Sequence, residues 1–145
     1  MRYAWGRDMS SNKERAEKAI KSAEREFKNA ASCLENEDYS GSLKYLQECL
    51  EYAVKAVLIA YGIDYPKIHA VGRFLYEIEE KYPEWFLKQI PNIAEVTDSL
   101  ARGRPRFRYP YERPPEDFET AAQEILPEAE KALESCRKLI GQLFA

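Results

Sequence analysis

Between Leu43 and Tyr61, apolar residues fall on two helical stripes at once, and no other feature of the chain constrains its fold so strongly. One stripe runs Leu43, Leu46, Leu50, Val54, Val57, Leu58 and Tyr61; the other runs Tyr45, Cys49, Tyr52, Ala56 and Ile59. Steps of three and four within each stripe are the α-helical period. A helix with one apolar stripe covers a core from outside, whereas two stripes require apolar neighbours on more than one side. The stretch therefore reads as the central helix of a bundle, or as the helix against which a second subunit packs. Gly62 supplies its stop, because glycine accepts the left-handed conformation that closes helices. Tyr65-Pro66 then predicts a new helix, proline being tolerated at a first helical position. His69, the chain's one histidine, falls in the first turn of that helix.

The flanking segments fit the same architecture. Ser11 with Glu14 three residues later has the pattern of a capping box. Ala16, Ile20, Ala23, Phe27, Ala30 and Leu34 follow at steps of three and four, which predicts a helix over about 11–36 with one buried side. Asp38 is a suitable cap for the central helix. Ile68, Val71, Leu75 and Ile78 predict a helix over 67–81 that ends before Pro83. Residues 84–101 read as a shorter helical piece interrupted at Pro91, where a backbone donor is missing. The last helix is expected over 117–143, with Ala122, Ile125, Ala129, Leu133, Cys136, Ile140 and Leu143 on one face and a kink or break at Pro127. No strand-like alternation of useful length occurs. Long amphipathic helices on short links favour antiparallel neighbours, so the expectation is an all-α, up-and-down bundle of four long helices plus a short additional one. All 145 residues fit one domain, with residues 1–9 as a lead-in that carries the aromatic Tyr3 and Trp5.

Composition narrows the classes of function. Hydrophobic residues at 45% and charged residues at 32% are those of an ordinary soluble domain, able to form a core without disulfides or metals. No apolar run reaches the ~18 residues of a membrane span, and the N-terminus lacks the apolar centre of a signal peptide. A cytoplasmic protein with no membrane contact is expected. Cys33, Cys49 and Cys136 lie far apart, each inside a helical pattern and without a CxxC pair, so they read as small core residues rather than a disulfide or zinc set. With one histidine, scattered carboxylates, isolated glycines and no Ser/His/Asp set, neither a metal site nor a cofactor is expected.

Two places carry candidate chemistry. His69 has Arg73 four residues on, which a helix would bring to the same side; a neutral histidine is a general base and an arginine holds phosphate. Against this stands a histidine that merely packs or caps a helix start. The second place is the stretch 102–116, Arg-Gly-Arg-Pro-Arg-Phe-Arg-Tyr-Pro-Tyr-Glu-Arg-Pro-Pro followed by Glu116, in which four prolines favour extended, non-helical backbone. Residues 102–113 carry +4, from Arg102, Arg104, Arg106, Arg108 and Arg113 against Glu112, which leaves −7 for the remainder of a chain whose net charge is −3. In an extended segment Arg104, Arg106 and Arg108 share one edge, and Phe107, Tyr109 and Tyr111 share the other. Arginines that fork onto phosphate beside rings that stack on bases make a nucleotide or single-stranded RNA site. The rival is a structural clamp, with the arginines paired to acids such as Glu77, Glu79 and Glu80.

Lys55 to Gly62, KAVLIAYG, then a short link, then Lys67 to Leu75, KIHAVGRFL, resembles the HEPN (higher eukaryotes and prokaryotes nucleotide-binding) family, with its Lys-Ala-Leu-Leu, Gly, Thr-His-Asp-Leu run. Arg108-Tyr109-Pro110 before a final Ala/Glu helix also fits, and the resemblance extends from about residue 10 to 143. It implies a helical bundle that pairs as a homodimer, often partnered by a minimal nucleotidyltransferase in a toxin–antitoxin pair. Many members are metal-independent ribonucleases with an arginine, then four to six arbitrary residues, then a histidine. Here Asp64, Ile63 and Gly62 occupy those offsets before His69, which argues against that catalytic set. The expectation is therefore a nucleotide- or RNA-binding module using Arg73, Arg102, Arg104, Arg106, Arg108, Tyr109, Tyr111 and Arg113. Its rivals are a degenerate ribonuclease with His69 as base, and a non-catalytic dimeric interaction protein whose second stripe receives a partner.

Overall fold

A computed structural model describes residues 9–65, 67–108 and 116–145. The helices are α1 (Met9–Glu35), α2 (Tyr39–Ala60), a short α3 (Glu84–Leu87), α4 (Ile90–Arg108) and α5 (Glu116–Leu143), with a 3₁₀ segment at Gly72–Lys81 between α2 and α3. The fold is an all-α bundle, and no strand occurs among the described residues.

Two left-handed residues set the links. Glu37 has φ 61°, and behind it Glu37 N donates to Leu34 O (3.1 Å) while Asp38 N donates to Cys33 O (2.8 Å). Gly62, at φ 71°, repeats the arrangement: its N–H donates to Ile59 O (3.0 Å) and Ile63 N to Leu58 O (2.9 Å). Both are Schellman closures that satisfy the last orphan carbonyls of a helix. Asp38 caps α2 as expected, its Oδ1 accepting from Gly41 N at 3.0 Å. The three-residue turn makes α1 and α2 antiparallel, and the buried Ser42 hydroxyl pins their register by donating to Ala30 O at 2.9 Å.

α2 is the central helix. It packs against α1, α4, α5 and the 3₁₀ segment, and Leu43, Leu46, Leu50, Val54, Val57 and Leu58 have no exposed surface. Ala16, Ile20, Ala23 and Ala30 face it from α1, and Ala122, Ala129, Leu133, Cys136 and Ile140 from α5. The second stripe is not a free docking face. Cys49 and Ala56 are fully buried within this chain, and of its five members Tyr52 alone is exposed.

Several sequence expectations need correction. α1 begins at Met9, so Ser11 lies inside it rather than at a cap. The helix expected over 67–81 does not start at Tyr65-Pro66; residues 67–71 are irregular, and the 3₁₀ segment begins only at Gly72. Its backbone donors go elsewhere: Val71 N turns back on His69 O (3.1 Å), and Gly72 N donates to Asp98 Oδ1 on α4 (3.0 Å). With those donors engaged no α-helical nucleus can close. The predicted face survives nonetheless, Val71, Leu75 and Ile78 being fully buried. Pro91 does not interrupt a helix but sits in the first turn of α4, where no donor is required. α5 runs through Pro127 without dividing. The stretch expected to be extended from Arg102 is helical as far as Arg108, so the alternating edges assigned to 104–108 do not form there. At ~1.5 Å per residue successive positions turn by about 100° instead of 180°. Residues 109–115, with Tyr109, Tyr111 and Arg113, lie outside the described residues.

Candidate functional site

The end of the bundle where α1 begins and α2 stops carries a cavity of about 450 Å³. Its location follows from the helix register. From the Ala30–Ser42 bond, fifteen residues back along α1 reach Arg15, and fifteen forward along α2 reach Val57, each a displacement of ~22 Å. Arg15 therefore stands level with Lys55 and Ile59, and the Gly62 closure folds the following link across the same end. Arg15, Lys55, Lys67 and His69 contribute basic side chains to the lining, Glu51 and Asp64 acidic ones, and Ile59, Ile63 and Ile68 an apolar wall.

Glu51 organises the site. Its Oε2 accepts from Gln47 Nε2 at 2.7 Å and lies 2.9 Å from His69 Nδ1, while Oε1 lies 2.7 Å from Lys55 Nζ. The carboxylate side chain is 13% exposed, the His69 ring 51%. Burial pushes the Glu51 pKa up, but hydrogen bonds from Lys55, His69 and Gln47 with the Lys55 charge outweigh it, so the group sits below the ordinary carboxylate range. An ionised Glu51 can only accept, so Nδ1 donates and, in the neutral ring, Nε2 keeps the lone pair. Lys55 Nζ also lies 5.7 Å from the Tyr65 ring centre. Burial, then the Glu51 charge, raises the pKa of the Tyr65 phenol.

Arg15 and Lys67 differ from Lys55. Among the described residues neither has a carboxylate within ion-pair distance, and both are exposed at the cavity. An arginine and a lysine beside a carboxylate-held histidine, with no ion pair to another described residue, form a site suited to an anion.

The residues singled out in the sequence are distributed unequally over this geometry. His69 lines the cavity but does not cap a helix. Arg73 does not join it; with no helical turn between them, Arg73 instead lies over the Phe74 ring, 5.0 Å from its centre. Arg102 pairs with Glu95 at 3.8 Å, an exposed contact of little energetic weight, and not with Glu77, Glu79 or Glu80. α4 is nevertheless tied to the histidine link. Gly72, three residues after His69, is bonded to Asp98, one helical turn before Arg102. A Cβ on Gly72 would stand 2.8 Å from Ala94 Cα, so this approach of link to helix depends on glycine. Arg15, Glu51, Lys55 and Lys67 were not singled out by the sequence. Glu51 and Lys55, one turn apart and opposite in charge, read as an ordinary surface pair, and Arg15 is one of many charges on the polar face of α1.

Comparison with known proteins identifies the family. The family described as "HEPN domain" matches residues 16–139. A protein of Methanocaldococcus jannaschii, "Putative toxin MJ1304", is 32% identical over 147 residues, covering 94% of this chain and 95% of its own. No solved structure matches the chain. Among the described residues no group of metal-ligating side chains occurs, and no helix is long and apolar enough to cross a membrane.

Proposed function

The chain belongs to the HEPN family, and we propose that it is a nucleotide- or RNA-binding module of a toxin-like kind. Its ligand engages the cavity through Arg15, Lys55, Lys67 and His69, with the arginines between Arg102 and Arg113 as further phosphate-binding residues. The observation that carries this reading is the pair of cations, Arg15 and Lys67, that no carboxylate among the described residues pairs with, at a concave site with an apolar wall. A few convergent polar groups in an apolar cleft are the form of a small-ligand site. The Gly72–Asp98 bond supports a joint role for the arginine stretch, because it fixes the histidine link to the helix that leads into it. The toxin character rests on the name of the archaeal relative. A homodimer, with a minimal nucleotidyltransferase as protein partner, completes the proposal.

The test is a fluorescence-quenching titration with ATP, GTP and a short single-stranded RNA at low and moderate salt. Salt-sensitive binding, lost in an R104A/R106A/R108A variant and weakened in an R15A/K67A variant, is the expected result. Absence of binding to all three ligands overturns the reading and leaves the arginines as scaffold.

One geometric fact favours a catalytic version. Glu51 on Nδ1 fixes the His69 ring in the tautomer whose Nε2 accepts a proton, the arrangement of a general base. A neighbouring cation would then stabilise charge developing on phosphate. Cleavage of labelled RNA that vanishes in H69A but survives chelation of metal would establish it; intact RNA after prolonged incubation would dispose of it.

A further inference from the structure

We infer that the cavity at Arg15 and Lys67 recognises a terminal phosphate monoester, on a free nucleotide or at an RNA end, in preference to the internal diesters of a strand. The inference rests on the binding function proposed above and specifies what the cavity selects.

Charge matching comes first. Lys55 is neutralised by Glu51 at 2.7 Å, and the same carboxylate holds His69. Asp64, which also lines the cavity, is itself engaged in an interaction. Among the described residues, Arg15 on α1 and Lys67 on the link are the lining cations with no carboxylate within ion-pair distance, and they are presented to one concavity from different elements. A phosphate monoester carries about −1.5 to −2 at neutral pH and three terminal oxygens, whereas an internal diester carries a single charge. Two cations complement the former and over-compensate the latter.

Size and lining agree. A volume of about 450 Å³ accommodates roughly one nucleotide unit. Ile59, Ile63 and Ile68 provide an apolar surface for a base or ribose, without the succession of stacking rings that a continuous single strand uses. Arginine contributes a planar fork that grips two oxygens, and lysine a point charge for a third. When neutral, the His69 ring with Nδ1 donating to Glu51 leaves Nε2 as an acceptor for a singly protonated phosphate or a ribose hydroxyl.

The experiment compares binding of one short RNA in three forms, 5′-phosphate, 3′-phosphate and both ends hydroxyl, by fluorescence anisotropy at fixed salt, with AMP against adenosine by calorimetry. At least one phosphorylated form is expected to bind tenfold or more tighter than the hydroxyl form, and AMP likewise over adenosine. The preferred end identifies which terminus the cavity takes. In R15A/K67A, with its helical circular dichroism and melting retained, the preference should collapse to within twofold. Equal, salt-sensitive affinity for all three RNAs would overturn terminal recognition while leaving RNA binding intact. No binding of any RNA or nucleotide would overturn both.

Discussion

Replacing Gly72 and Gly141 by alanine should change stability in opposite directions, although the chemical change is identical. At Gly72 the new Cβ would meet Ala94 Cα at 2.8 Å, Ala94 O at 3.0 Å and Asp98 Oδ1 at 3.0 Å. Two of the three contacts are backbone of α4, which cannot turn aside as a flexible side chain can. Either α4 or the link must retreat, weakening the Gly72–Asp98 bond at the same time. Overpacking of this kind costs about 1–3 kcal/mol, and loss of a hydrogen bond to a charged acceptor adds about 1.5 kcal/mol, so a total near ~3 kcal/mol is expected. At Gly141 nothing lies within 4 Å of the added atom, and the residue is interior to α5. The substitution there removes only the conformational cost of glycine in a helix and should stabilise by about 0.5–1 kcal/mol. Urea denaturation followed by circular dichroism reads both. With a slope of ~2 kcal/mol per molar, the midpoint should fall by roughly 1.5 M in G72A and rise by roughly 0.3–0.5 M in G141A. An unchanged midpoint in G72A would refute the tight approach of the link to α4, and with it the positioning of His69 relative to the arginine helix.

Further perturbations probe the other elements. Glu37 occupies the left-handed position that closes α1, so E37G should raise stability by about 0.5–1 kcal/mol; a loss on thermal denaturation would contradict that closure. Leu50 is fully enclosed on the central helix, and L50A should cost about 2–5 kcal/mol in the same urea assay; a cost below 1 kcal/mol would displace α2 from the centre. The folded-state pKa of Glu51 lies below the ordinary 4.5. Its contribution to stability is therefore complete above that value and lost as pH falls through the folded pKa. E51Q should flatten the stability profile in that acid window, and a profile parallel to the unmodified protein would argue against the Lys55–His69 network. Burial pushes the Cys49 thiol up to about 12 and raises Cys136 also. The Cys33 thiol is raised too, by burial and then Asp38, but it alone of the three is partly exposed. A disulfide reagent at pH 8 should therefore modify Cys33 well before the other two, and equally rapid modification of two thiols would refute the packing of α2 on α5.

Much of the bundle was legible because helical periodicity is local. The stripes of α1, α2 and α5 each lie within one segment, and most of the residues they nominated are buried, with Tyr52 exposed. Asp38 and Gly62 were legible for the same reason, as cap and stop chemistry acts within four residues. Glu37 was not, since a non-glycine residue in the left-handed region has no compositional signal. The link from Ile63 to Val71 was misread as helix because its apolar spacing is helical while its donors are claimed by His69 O and Asp98. Proline content misled in the opposite sense, α4 continuing to Arg108 past Pro105.

The amino-acid sequence by itself therefore determined the class of fold, the central helix, the place of its ends and the concentration of positive charge after Arg102. Each is a property of residues within a few positions of one another. Tertiary structure alone decided which side chains meet: that Glu51 holds both Lys55 and His69, that Arg15 comes level with them across the antiparallel pair, and that Arg73 turns away. Those placements bring to one cavity residues up to 54 positions apart in the chain, Arg15 and His69. Their proximity depends on helix register and link geometry, which no local pattern encodes.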